Sequence, residues 1–114
     1  MPSKNNKKLD HSKTTYHADG SITFYDHKGR AVTYSKEGIP DFSPYMEKSA
    51  TSPKFNGNRK HDNRIANSQH GISGDTAPAG KVWHHVDKDR MILLDAELHK
   101  NFPHTGSASV LIHG

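Results

Sequence analysis

Cysteine is absent from the 114 residues. The fold therefore cannot lean on disulfides, and any metal must be held through nitrogen and oxygen. Apolar residues are scarce at 31%, aromatics make up 8% with one tryptophan, and mean hydropathy is −0.93. No run approaches the roughly 18 apolar residues of a membrane span. The N-terminus is charged where a secretory signal would be apolar, so the chain is expected to carry neither a span nor an export signal of its own. A core this thin suits one small domain rather than a large enzyme scaffold. Apolar burial at roughly 25 cal/mol per Å² is set against about 1.5 kcal/mol of entropy per ordered residue, so such chains often need a metal or a partner to fold firmly.

Basic charge and histidine are what the chain has in quantity. Sixteen lysines and arginines stand against 12 acids, a net charge of +4 with ten histidines still neutral. A polyanion is the expected partner, with nucleic acid ahead of a membrane surface.

Along the chain, residues 1–15 are polar and lysine-bearing, which reads as a flexible basic tail or linker. SITFYD and RAVTY are short β-branched and aromatic runs around DHKG, where Gly29 can supply a positive φ, and they predict a β-hairpin. EGIPDFSPYM follows as a loop, because Pro40 and Pro44 forbid a regular helix while Ile39, Phe42 and Tyr45 can anchor it. Residues 58–69, between Gly57 and Gly71, predict a helix with a meagre apolar side of Ile65 and Ala66. GISGDTAPAG is a connector. VWHHV and RMILL then read as two strands around DKD, and Asp95 is a natural cap for a helix that Pro103 should stop at about Asn101. A final strand in SASVLIH is possible.

Four of the ten histidines fall in WHHVDKDRMILLDAELHKNFPHT, residues 83–105. Neutral imidazole is both a common transition-metal ligand and the side chain best tuned to take a proton near neutral pH. Adjacent strand residues point to opposite faces, so His84 and His85 are expected to divide two roles, one as ligand and one as base. His99 and His104 would lie about 140° apart on a continuous helix. Because Pro103 ends the helix first, His104 can turn back toward His99. A hydrolytic metal site uses about three protein ligands and keeps positions open for water or phosphate. Three histidines as ligands and one as base meet that count. Trp83 reads as the core anchor beneath this unit, since a thin core needs its largest side chain.

This segment resembles the HNH/endonuclease VII superfamily, and within it the WHH group of bacterial polymorphic-toxin nucleases. The likeness rests on the tryptophan with two histidines, the Met and Leu strand, the ELH helix and the closing HTG. GIPDFSPY and DNRIAN with Gly71 resemble upstream parts of the same group, so the likeness runs over roughly Gly38 to Gly114. The resemblance implies an α+β fold, a small single domain over residues 16–114. Its ββα-metal (His-Me finger) core lies at about 81–106, preceded by the hairpin and the helix. It implies His85 as general base, with His84, His99 and His104 holding one divalent ion, whether Mg, Mn, Ni or Zn. The group's middle asparagine falls near Asp89 or Arg90 here, which leaves Asp62, Asp41 or a backbone carbonyl to orient His85. Asp62 and Arg90 are counted with His85 as catalytic candidates, and Arg59, Arg64 and Lys100 as phosphate contacts. The closing glycine pair is also broken, Gly106 being followed by Ser107.

The function implied is phosphodiester hydrolysis, DNA ahead of RNA. The resemblance also implies a setting: a toxin domain carried by a larger secreted protein into the cytoplasm of a rival bacterium, and neutralised in the producer by a cognate, acidic immunity protein. Two rivals stay open at this point. One is a metal-independent ribonuclease with two histidines as acid and base, which would keep cutting RNA in EDTA. The other is a non-catalytic basic module with a structural zinc, which would bind nucleic acid in a salt-sensitive way without product.

Overall fold

The computed structural model describes residues 1–104, which form two compact units: residues 1–44 with 97–104, and residues 45–96.

The first unit is built on the expected hairpin. Strands β2 (Ile22–Tyr25) and β3 (Ala31–Tyr34) pair antiparallel with Phe24 opposite Val32 and Ile22 opposite Tyr34. Gly29 takes the turn at φ +80°, a conformation that costs glycine little and other residues more. Phe24, Val32 and Tyr34 are buried, and the Phe24 and Tyr34 rings meet edge to face at 5.4 Å. Short strands β1 (Thr15–Tyr16) and β4 (Pro40–Asp41) flank the hairpin in the order β1-β2-β3-β4. Pro40 has no N–H to donate and lies in an edge strand, where its absence is tolerated. The region read as a tail contains a 3-10 turn over His11–Lys13, capped by the Asp10 carboxylate, which accepts from the Ser12 N–H. Leu9 is buried there and bridges to Asp26. One apolar anchor and a set of local hydrogen bonds order a stretch whose composition alone reads as unstructured.

The second unit carries strands β5 (Lys48–Thr51), β6 (Lys81–Asp87) and β7 (Arg90–Asp95) in the antiparallel order β5-β7-β6, and helix α1 (Arg59–Ser68). Ala50, Phe55, Ala66, Trp83, Met91 and Leu93 form its core cluster. Trp83 is fully buried, in the anchoring place its size suggests. Strand β5 was not foreseen: KSAT offers one apolar side chain, Ala50, and gains its strand character by pairing with β7.

From β7 the chain passes directly into helix α2 (Ala96–Asn101), which buries Leu98, followed by the buried Phe102. The order hairpin, then helix, is the ββα arrangement within a small α+β protein. The helix ends at Asn101, two residues before the proline, as the restriction on the residue preceding proline requires. The proposed SASVLIH strand lies outside the described residues. No helix among the described residues is long and apolar enough to cross a membrane.

Candidate active site

The site begins with a helix that buries polar residues. On α1 the inward positions are Asp62, Asn63, Ala66 and Asn67, so the side that sequence reasoning found poor in apolar residues is rich in hydrogen-bonding ones. Asn58 caps the helix, its side-chain oxygen accepting from the His61 N–H at 2.9 Å. Near the other end, Asn67 Nδ2 donates to the Gly74 and Thr76 carbonyls at 3.2 and 2.7 Å, and its Oδ1 accepts from Trp83 Nε1 at 2.7 Å. Asn67 thereby fixes both the connector and the start of β6 against α1.

That anchoring sets the next contact. Trp83 and His85 share a strand face, two residues apart or about 6.8 Å, while Asp62 and Asn67 are five residues apart on the helix, about 7.5 Å. The two spacings match closely, and His85 Nε2 donates to Asp62 Oδ2 at 2.8 Å with both side chains buried. The Phe55 ring meets His85 edge on at 6.3 Å. Of the partners left open for His85, Asp62 is the one in contact. Asp41 lies in the first unit and accepts from the Ser43 N–H.

Asp62 is held from four directions. Oδ1 accepts from Asn56 N at 3.0 Å and His61 Nδ1 at 2.8 Å, and Oδ2 accepts from Gly57 N at 2.8 Å as well as from His85. Burial alone would raise its pKa. The hydrogen bonds from the two histidine rings and the two backbone N–H groups outweigh that and hold it below the ordinary 3.8. An ionised carboxylate on Nε2 keeps the proton there and leaves Nδ1 of His85 as the nitrogen able to accept one. His61 had no assigned role from sequence. Its signal was its place beside Asp62 at the start of a helix whose polar residues recur at 62, 63 and 67.

His84 stands on the opposite face of β6, paired with Ile92, while His85 pairs with Met91. His84, His99 and His104 each offer one ring nitrogen, and these atoms lie within 4.8 Å of one another. Metal–nitrogen bonds of about 2.0–2.1 Å put the ligand nitrogens of one ion roughly 3 to 4 Å apart. The three imidazoles could hold one ion, and an all-nitrogen set suits Zn, Ni or other imidazole-binding metals better than Mg. His99, on α2, and His104, beyond it, stand with ring centroids 4.6 Å apart, and Phe42 lies against both at 5.7 and 6.0 Å. A turn after the helix, not the helix repeat, brings this pair together.

The remaining candidates are spread out. Arg90 opens β7, and its guanidinium reaches Met46 Sδ at 3.4 Å. Arg59 and Arg64 are exposed on α1, where five residues of separation turn them about 140° apart. Arg64 reaches Asp75 at 3.5 Å, while Lys100 is exposed on α2.

No curated protein matches the chain significantly. Residues 73–112 match the family described as a nuclease of the HNH/ENDO VII superfamily with conserved WHH. That stretch contains Trp83, His84 and His85, the β6–β7 hairpin and α2. Matched segment, hairpin-and-helix order and clustered imidazoles agree, and residues 73–112 belong with the WHH nucleases of the HNH/ENDO VII superfamily.

Proposed function

We propose that this nuclease is a metal-dependent endonuclease that cuts DNA in preference to RNA, with His85 as general base and His84, His99 and His104 as the ligands of one divalent ion. The observation that carries the reading is the buried Asp62–His85 pair on one face of β6, next in sequence to a histidine of the three-nitrogen cluster. Asp62 orients the imidazole and keeps Nε2 protonated, so that Nδ1 takes a proton from water as the water oxygen attacks phosphorus. The P–O3′ bond breaks in line with that attack and the departing oxygen takes a proton from solvent, leaving a 5′ phosphate and a 3′ hydroxyl. When bound, the ion supplies neutralising charge to the phosphate and the departing oxygen. Arg90 is the nearest arginine in sequence to the hairpin turn and is assigned to the phosphate being cut, with Arg59, Arg64 and Lys100 on flanking phosphates.

The biological reading follows from the WHH resemblance and the net charge of +4. The domain acts as an antibacterial toxin, carried by a larger secreted protein into the cytoplasm of a competitor and held inactive in the producer by an acidic immunity protein.

The test is a plasmid and total-RNA digestion with Mg, Mn, Ni, Zn and EDTA, run beside His85→Ala. The expected result is nicking of DNA ahead of RNA, none in EDTA, and a loss of about 10²- to 10⁴-fold in the variant, the range typical for a general base. Undiminished nicking by His85→Ala would remove the base assignment, and RNA cleavage that survives EDTA would favour the metal-independent ribonuclease.

A further inference from the structure

The matched residues begin at 73, yet the helix bearing His99 is gripped by residues far upstream of that point. In the first unit, the hairpin turn holds Asp26, fully buried, whose Oδ1 accepts from the N–H groups of Lys28 and Arg30 and whose Oδ2 accepts from Arg30 Nε at 2.7 Å. Asn101 Nδ2, at the last position of α2, approaches the same Oδ2 at 3.4 Å. From its bond to the buried Asp26, the part-buried Arg30 extends Nη2 to Glu97 Oε1 at 2.8 Å, in the first turn of α2, and Lys28 reaches the same oxygen at 2.6 Å. Further along, the buried Tyr34 hydroxyl donates to the Pro103 carbonyl at 2.7 Å. Burial pushes its pKa up, so that the hydroxyl keeps its proton. The grips fall at 97, 101 and 103, bracketing His99 and adjoining His104, while Phe42 packs on both rings.

We infer that Asp26, Arg30 and Tyr34 are positioning residues for the metal ligands: they fix the attitude of α2 and of the turn after it, and with it the direction in which His99 and His104 present their ring nitrogens. The chemistry makes this more than general stabilisation. His104 sits one residue past the carbonyl that Tyr34 holds, beyond the end of α2, so the hydroxyl contact bears directly on the backbone that carries it. Arg30 is held at Nε by the buried Asp26, which anchors one end of its contact with the half-exposed Glu97 and distinguishes it from a pair exposed at both ends, the kind that contributes little. This inference rests on the reading of the histidines as metal ligands.

The experiment titrates cobalt(II) into the whole protein and follows both affinity and the visible absorption of the bound ion, for wild type, Arg30→Gln, Arg30→Lys, Tyr34→Phe and His99→Ala. Circular dichroism is recorded on each. Loss of partners that orient ligands typically weakens binding by 10- to 100-fold. The expected result is a loss of about 10-fold for Arg30→Gln and Tyr34→Phe with an altered absorption band, and partial recovery in Arg30→Lys. His99→Ala should lose binding. If a buried variant fails to fold, Glu97→Gln reads the same strut from its half-exposed end and should weaken binding about 3-fold. Folded Arg30→Gln and Tyr34→Phe proteins that bind cobalt within 2-fold of wild type, with an unchanged band, would overturn the inference. Wild type that takes up no cobalt would overturn the metal reading beneath it.

Discussion

Asp62 is the residue on which the local chemistry turns. It is fully buried and anionic, and four hydrogen bonds stabilise its charge. Because its folded pKa is depressed, its contribution to stability is complete above the ordinary carboxylate value and is lost as pH falls through the lower, folded one. Asp26 behaves in the same sense: its burial is outweighed by hydrogen bonds from Arg30 and Asn101. Urea midpoints measured from pH 7 down to pH 3 should therefore fall steeply at the acid end, and Asp62→Asn should flatten part of that fall. The same substitution can turn an acceptor into a donor opposite His85 Nε2 and favour the wrong tautomer. It should lower kcat by at least about 100-fold with KM nearly unchanged, in line with the large losses seen when an orienting carboxylate becomes an amide. A kcat within a few-fold of wild type would show that Asp62 does not set the state of His85.

At the scale of elements, the hairpins and the site-bearing helices were legible because their signals are local. RAVTY, VWHHV and RMILL are β-branched and apolar, Gly29 marks a turn, and Pro103 marks the end of α2. Strand β5 was not legible, since KSAT carries no strand pattern and exists through its pairing with β7. Nor was the order within residues 1–15, which depends on Leu9 alone for an apolar anchor. The candidate site divided in the same way. The histidine set could be named from spacing and resemblance, whereas the partner of His85 could be narrowed only to Asp62, Asp41 or a backbone carbonyl, with Asp62 counted as a catalytic candidate, because Asp62 reaches it across a separation of 23 residues. What joined them was Asn67, which looks like one more polar residue on a surface helix and is in fact buried and hydrogen-bonded to Trp83, Gly74 and Thr76. Asn67→Ala would strand a buried indole N–H and two carbonyls. Each stranded group costs about 1 to 3 kcal/mol. Urea unfolding should show a loss of at least about 2 kcal/mol, while Arg59→Ala on the exposed side stays within about 0.5 kcal/mol of wild type. Equal stability of the two variants would mean that the polar face of α1 does not hold the strand.

For the molecule as a whole, scarcity shapes the design. With no cysteine and only 31% apolar residues, the protein uses polar side chains for tasks that larger proteins give to their cores: Asn67 and Asp62 fasten α1 to β6, Asp26 and Arg30 fasten α2 to the first hairpin. An ion that binds the folded chain alone would stabilise it further by mass action. The central claim is the separation of roles between neighbouring histidines, with His84, His99 and His104 holding the metal and His85 left to move the proton. Native mass spectrometry with calorimetry, using zinc and nickel on wild type and the four single alanine variants, tests it most directly. One ion per chain should bind to wild type and to His85→Ala with similar affinity, and binding should weaken by at least about 10-fold when any of the other three is replaced. Uptake lost in His85→Ala but retained in His84→Ala, or retained in all four variants, would contradict the account.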